Sequence, residues 1–191
     1  IGTEASLPAL GELLRHEDTV ALGCQALSTH ASPKASDVLR QALSVARGAG
    51  RVQMISTLGD RQDAAAVPLL TRLAEDADLS VVRAAIVALG KIADEPARAA
   101  IAALRRSSRA ELAGPVVEAS MNAAEKLAAA GQDKAAATIY EQLLDGSQAD
   151  NVRRGAFQAL MQLDEDLGER RILETLRGSD TLLKPVAIAA V

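Results

Sequence analysis

At 191 residues the chain is long enough to bury a hydrophobic core, either as one large domain or as an elongated array. Ala, Leu and Val supply most of its 49% hydrophobic content and aromatic residues are nearly missing, which favours helix throughout and disfavours strands. The net charge of −4 argues against nucleic acid as a partner. No apolar run approaches the roughly 20 residues that cross a bilayer, and the compartment stays open.

Similar apolar segments, each with a small residue near its end, recur at intervals of 30 to 36 residues. A period in this range, with two helical stretches in each unit, is typical of a helical repeat array. The recurring small residues are Ala26, Thr57, Ala88, Ala123, Ala159 and Ala189. We expect one array over residues 1–191, with approximate units 1–31, 32–60, 61–93, 94–130, 131–164 and 165–191. Because the last segment is apolar and uncapped, we expect the array to be truncated at one or both ends.

The unit 61–93 shows the repeat pattern most fully. Its first helix is predicted to have Asp63 as N-cap. Its second helix has apolar residues at helical spacing along one face, namely Val82, Ala85, Ile86, Leu89 and Ile92. A unit of two short helices cannot bury such a face alone, so consecutive units are expected to stack.

Glycine and proline mark the expected ends of the helices. Glycines are predicted to end helices at Gly59, Gly90, Gly131 and Gly146. Prolines that directly follow predicted caps are Pro33, after Ser32, and Pro96, after Asp94. Prolines that lie five residues after a predicted cap, and so predict a bend early in the helix, are Pro8, Pro68 and Pro185.

The segment AAAVPLLTRLAEDADLSVVRAAIVALGKIAD resembles a HEAT repeat of the phycobiliprotein-lyase-like type, with Pro68 in the first helix, Arg83 opening the second and Gly90 closing it. The resemblance implies an all-α fold, a right-handed α-α superhelix made of about six helical hairpins. Residues 123–144 are more similar to a tetratricopeptide unit. The combined pattern is similar to HEAT segments of large exported multidomain bacterial proteins, and this resemblance implies a spacer or docking module outside the cytoplasm.

The arginine near the start of each second helix is expected to pair with an aspartate in the turn before it. Arg83 would pair with Asp76 or Asp78. In the later repeat, Arg153 or Arg154 would pair with Asp150. The alternative is that these arginines bind an acidic ligand.

Residues with the potential for chemistry are few, and no cofactor or metal is expected. His16 and His30 are interpreted as surface or packing residues, and Cys24 as a small buried residue, because no spacing matches a zinc motif. The densest basic cluster is RRSSR, residues 105–109, which lacks aromatic residues for base stacking.

We therefore predict a non-catalytic scaffold that binds a protein partner, or other domains of its parent chain, through the concave face lined by the second helices. The candidate interaction residues occupy equivalent positions in four successive second helices, at Arg83, Glu118, Arg154 and Lys184. The alternative is an accessory or lyase-type protein that handles a tetrapyrrole or other cofactor. A third hypothesis, a nucleic-acid-binding array, requires a positive groove and salt-dependent retention on DNA.

Overall fold

The computed structural model describes residues 2–106, 110–163 and 165–190, apart from the Glu165 side chain. The described residues form twelve α-helices and no strand, as the composition predicts. The helices are α1 Leu7–Leu13, α2 Val20–Ser28, α3 Lys34–Val45, α4 Ala49–Asp60, α5 Val67–Leu73, α6 Leu79–Ile92, α7 Glu95–Arg106, α8 Ala113–Ala129, α9 Asp133–Leu143, α10 Asp150–Leu163, α11 Glu165–Arg177 and α12 Lys184–Ala189. The division into six repeat units remains a prediction.

The chain divides into two compact units, Ile1–Ala119 and Ser120–Val191, which we call unit 1 and unit 2. In unit 1, α4 packs on α2, α3 and α6, and α6 packs on α5 and α7. Large side chains that are fully buried in this unit are Leu27, Leu39, Ile55, Leu58, Leu70, Ile86 and Leu89. The apolar face predicted on the second helix of residues 61–93 therefore lies in the core of unit 1.

Unit 2 has a core of its own. Within it, α10 packs on α9 and α11, and α11 packs on α12. Phe157 is buried together with Leu183 and Ala187, and Tyr140 is 2% exposed. Burial raises the pKa of the Tyr140 hydroxyl, and the nearby Glu125 carboxylate adds to the rise.

One helix start follows the predicted capping pattern, and the prolines lie close to the starts of α-helices. The Asp94 carboxylate accepts a hydrogen bond from the Ala97 amide at 2.8 Å, so it caps α7. Pro8 and Pro68 lie at the second residue of α1 and α5, each helix following a short 3₁₀ turn. Pro185 holds the same position in α12. The prolines thus lie at α-helix starts, where a missing amide hydrogen is tolerated, and the bends expected there stay predictions.

Two of the four glycines expected to end helices have a different role. Gly59 and Gly90 lie inside the last turn of α4 and α6. The left-handed residues that follow these helices are Gln62, with φ of 52°, and Ala93, with φ of 56°. Gly131 has φ of 70° after α8, so the prediction is confirmed there.

Candidate interaction surface

The four candidate residues are divided between the two units. Arg83 on α6 and Glu118 on α8 belong to unit 1 and are exposed. Arg154 on α10 is exposed in unit 2, and Lys184, the first residue of α12, is partly buried there. The structure thus places all four on second helices of the predicted hairpins.

Glycine contacts between second helices define the repeat register in unit 1. A Cβ atom added to Gly59 would lie 2.8 Å from the Cα of Ala88, and one added to Gly90 would lie 2.7 Å from the Cα of Ala119. Ala119, rather than the expected Ala123, is therefore the counterpart of Ala88. It follows that Glu118 lies one helical turn beyond the true equivalent of Arg83, on the same face.

Aspartates in the turns pair with arginines of the preceding hairpin, which corrects the predicted local pairs. The Arg51 Nη2 atom lies 2.8 Å from the Asp76 Oδ2 atom, although the two residues are 25 positions apart. Asp78 caps α6 by accepting a hydrogen bond from the Ser80 amide. Among the described residues the Arg83 side chain has no hydrogen bond or ion pair.

Unit 2 contains the same arrangement. Arg153 pairs with Asp180 in the turn before α12 instead of with Asp150. In each pair, one carboxylate oxygen binds the arginine and the other accepts a hydrogen bond from a backbone amide two residues further along the chain. The amide of Asp78 donates to Asp76, and the amide of Leu182 donates to Asp180. We call these two pairs the Arg–Asp clamps.

The hydrogen bonds in each clamp lower the pKa of its aspartate. At Asp76 the Asp78 amide is the main cause, followed by the Arg51 guanidinium. At Asp180, burial raises the pKa, but the amides in its turn and Arg153 outweigh it, so the net shift is downward. Both carboxylates are therefore ionised at neutral pH.

Local spacing does not predict the clamps, because their residues are far apart in the chain. The sequence does indicate that the two arginines are equivalent, because Arg51 and Arg153 both lie six residues before one of the recurring small residues. Local spacing does not predict the role of Arg61 either. Its guanidinium donates to the backbone oxygens of Leu27 and His30, at 2.6 and 2.9 Å.

The remaining polar candidates are mostly structural. Cys24 is buried, and burial raises the pKa of its thiol. His16 is exposed, whereas His30 is only 6% exposed and is hydrogen-bonded. Residues 107–109 of the basic cluster lie outside the described part of the chain.

No group of three or more His, Cys, Asp and Glu residues that could hold a metal ion occurs in the described part of the chain. Nor does any helix described there have the length and apolar character needed to cross a membrane. Unit 1 has a groove of about 650 Å³ between α1, α3 and the start of α4, lined by apolar residues such as Val38 and Met54 and edged by Arg15, Glu17 and Arg47.

Paired helices with a repeated packing register are typical of helical repeat proteins. Residues 36–121 of the chain match the family of HEAT repeats. The expected fold class is confirmed by this match together with the twelve helices described.

A solved structure has a similar fold. It is the complex of CpcE and CpcF of phycocyanin lyase from Nostoc sp. PCC7120, whose matched chain is 22% identical, with a TM-score of 0.55. The match covers 98% of this chain and 76% of that chain. At this identity the likeness concerns the fold alone. No curated protein sequence matches the chain significantly.

Proposed function

We propose that the protein is a non-catalytic scaffold whose second helices bind a protein partner or another domain of the same parent protein. The observation that carries this proposal is that Arg83 and Arg154, at equivalent positions of two second helices, are exposed and make no internal hydrogen bond or ion pair among the described residues. Arg51, Arg61 and Arg98 are bonded within unit 1, to a carboxylate or to backbone oxygens. Arg83 is exposed and has no such bond among the described residues.

An exposed arginine that makes no internal contact adds little to the stability of the fold. Arginine is also enriched where proteins bind one another, because its planar guanidinium forms paired hydrogen bonds with carboxylates. Arg154 is exposed and similarly without a bond among the residues described in unit 2. Both positions are thus available for contacts with a partner.

Charge reversal of the four candidate residues tests this proposal. The variant carries the substitutions Arg83→Glu, Glu118→Lys, Arg154→Glu and Lys184→Glu. Native and variant chains are used as bait in native lysate and in the secreted fraction, and the retained proteins are quantified by mass spectrometry. We expect a protein retained by the native chain to be lost from the variant.

A matched control carries the same change of charge on exposed positions of first helices. Its substitutions are Arg72→Glu, Lys134→Glu, Glu169→Lys and Arg170→Glu. The control should retain the partner, and circular dichroism should show equal helix content in all three proteins. Equal loss from both variants, or equal retention by both, would contradict a site on the second helices.

The second candidate function is an accessory or lyase-type protein that handles a tetrapyrrole. Its support is the fold shared with a chain from the phycocyanin lyase complex. A bilin added to the purified protein would then show a shifted and intensified visible absorption band. An absorption spectrum identical to that of free bilin at all protein concentrations would eliminate this candidate.

A further inference from the structure

His30 is a buried titratable residue that the proposed scaffold function does not use. It lies in the turn between α2 and α3 and is 6% exposed. Its Nδ1 atom lies 3.1 Å from the Ser32 amide nitrogen, and its Nε2 atom lies 3.3 Å from both the Thr3 carbonyl oxygen and the Ser6 Oγ atom. The ring therefore joins its own turn to the segment that precedes α1.

These contacts define one tautomer of the neutral ring. The Ser32 N–H group can only donate, so Nδ1 must accept and carry no proton. The Thr3 carbonyl can only accept, so Nε2 must carry the proton. The Ser6 hydroxyl donates to the Thr3 carbonyl at 2.7 Å, which leaves its oxygen lone pairs free to accept from Nε2. All of these hydrogen bonds are satisfied together only when the imidazole is neutral.

The segment from Gly2 to Ser6 also packs closely on this ring. A Cβ atom added to Gly2 would lie 2.8 Å from the His30 Nε2 atom and 2.9 Å from its Cδ2 atom. In addition, the Glu4 carboxylate binds the Ser32 hydroxyl at 3.0 Å. The position of this segment thus depends on the imidazole and on the turn that holds it.

Charged groups face His30 from three elements. From the 3₁₀ turn before α1, the Glu4 carboxylate binds the Ser32 hydroxyl beside the ring. From α3, the Lys34 ammonium pairs with Glu4 at 2.6 Å. Just after α4, the Arg61 guanidinium donates to the His30 carbonyl oxygen at 2.9 Å. One carboxylate and two cations are thus bonded to the turn that contains His30 or to each other.

We propose that His30 is a pH-sensitive latch, which holds residues 2–6 against the α2–α3 turn when neutral and releases them when protonated. A proton on Nδ1 would point at the Ser32 N–H group and replace a hydrogen bond with a contact between two donors. Imidazole is the side chain that ordinarily changes charge between pH 5 and 8. Because the folded contacts require the neutral ring, the latch is closed at higher pH and opens on acidification.

Amide hydrogen exchange, followed by NMR at pH 7.5 and pH 5.0, tests the latch in the whole chain. After correction for intrinsic exchange rates, the Ser32 and Ser6 amides should lose about fivefold in protection at the lower pH, the change expected for one lost hydrogen bond. The Ser80 amide, which donates to the Asp78 carboxylate, serves as the internal reference and should keep its protection.

Two variants complete the test. In His30→Asn the side-chain oxygen can still accept from the Ser32 amide but does not titrate, so the pH response should disappear. In His16→Asn, which alters an exposed histidine, the response should persist. The proposal would be overturned if amide protection in the native chain changed with pH no more than it does in His30→Asn. It would also be overturned if nitrogen NMR shifts of the native chain showed a proton on Nδ1 of His30 at pH 7.5. This second measurement does not depend on the stability of either variant.

Discussion

Arg61 shows how much of the turn structure in unit 1 depends on one side chain. It follows α4 in the chain, yet its guanidinium donates to the backbone oxygens of Leu27, His30 and Ser32 and to the Ser36 hydroxyl. The oxygen of Leu27 belongs to the last turn of α2, where carbonyl groups lack partners within the helix. The positive charge also complements the negative end of the α2 dipole. Arg61 thus completes a helix that ends more than 30 residues earlier in the chain.

Replacement of Arg61 by Ala should lower the free energy of unfolding by about 2–3 kcal/mol, because partly buried carbonyl groups lose a charged donor. Lysine should restore little of this, since one ammonium group cannot reproduce the planar fork. Urea unfolding measures both variants. The exposed Arg83→Ala serves as control and should change stability by no more than about 0.5 kcal/mol. Equal effects at the two sites would contradict the capping role.

The clamp at Asp76 predicts a dependence of stability on pH. The folded pKa of this carboxyl is lowered, so the stabilisation is complete above the unfolded value of about 4 and is lost as the pH falls through the folded value. Asp76→Asn keeps an acceptor for the Asp78 amide but loses the charge. We expect the native chain to be more stable than this variant at pH 7 and the difference to shrink at pH 2.5. A difference in stability that is unchanged or larger at pH 2.5 would contradict a stabilising role for the Asp76 charge.

At the scale of the elements, close packing of second helices depends on glycine. At Gly90 a Cβ atom would lie within 3 Å of the Ala119 Cα, Cβ and carbonyl oxygen atoms, and two of these three atoms are backbone. Backbone cannot move aside as a flexible side chain can. The small residues at this contact therefore set the distance between α6 and the part of α8 that belongs to unit 1.

Gly90→Ala should be destabilising, although alanine favours a helix by about 1 kcal/mol over glycine. Overpacking of a tight contact costs about 1–3 kcal/mol, which exceeds that gain. Gly155→Ala is the matched control, because the nearest atom to the added Cβ is the Met121 Cε at 3.9 Å. This control should be stabilised in thermal unfolding. An equal gain in stability for Gly90→Ala would show that the helices can separate without cost.

At the scale of the whole molecule, each unit has its own buried core. Leu58 lies in the core of unit 1 and Phe157 in that of unit 2, both almost completely buried. In repeat proteins, stability comes from each unit and its nearest neighbours, so damage is expected to stay local.

Leu58→Ala and Phe157→Ala should each cost about 2–5 kcal/mol through cavity formation. Hydrogen exchange measured by mass spectrometry should accelerate mainly in peptides of the unit that carries the substitution. Each variant is the control for the other. Equal acceleration throughout the chain in both variants would show that the two units unfold as one.

The sequence was most informative where structure depends on neighbours along the chain. Helix content, the buried face that includes Ile86 and Leu89, and the cap at Asp94 all follow from local spacing and were predicted correctly. The partner of Asp76 was not, because Arg51 is brought to it only by the stacking of one hairpin on the next. The exposure of Arg83 followed from its pattern, whereas its role in binding remains a prediction.

The Arg–Asp clamps also bear on how such chains can be cut and recombined. The arginine of each clamp belongs to one hairpin and the aspartate to the next, as with Arg153 and Asp180. A single hairpin taken from either clamp and inserted elsewhere would therefore carry only one half of that clamp. An exchangeable module should instead begin and end within a second helix, upstream of its arginine. Junctions placed there would transfer each clamp intact, and grafts cut at the turns between hairpins would leave an ionised aspartate without its cation.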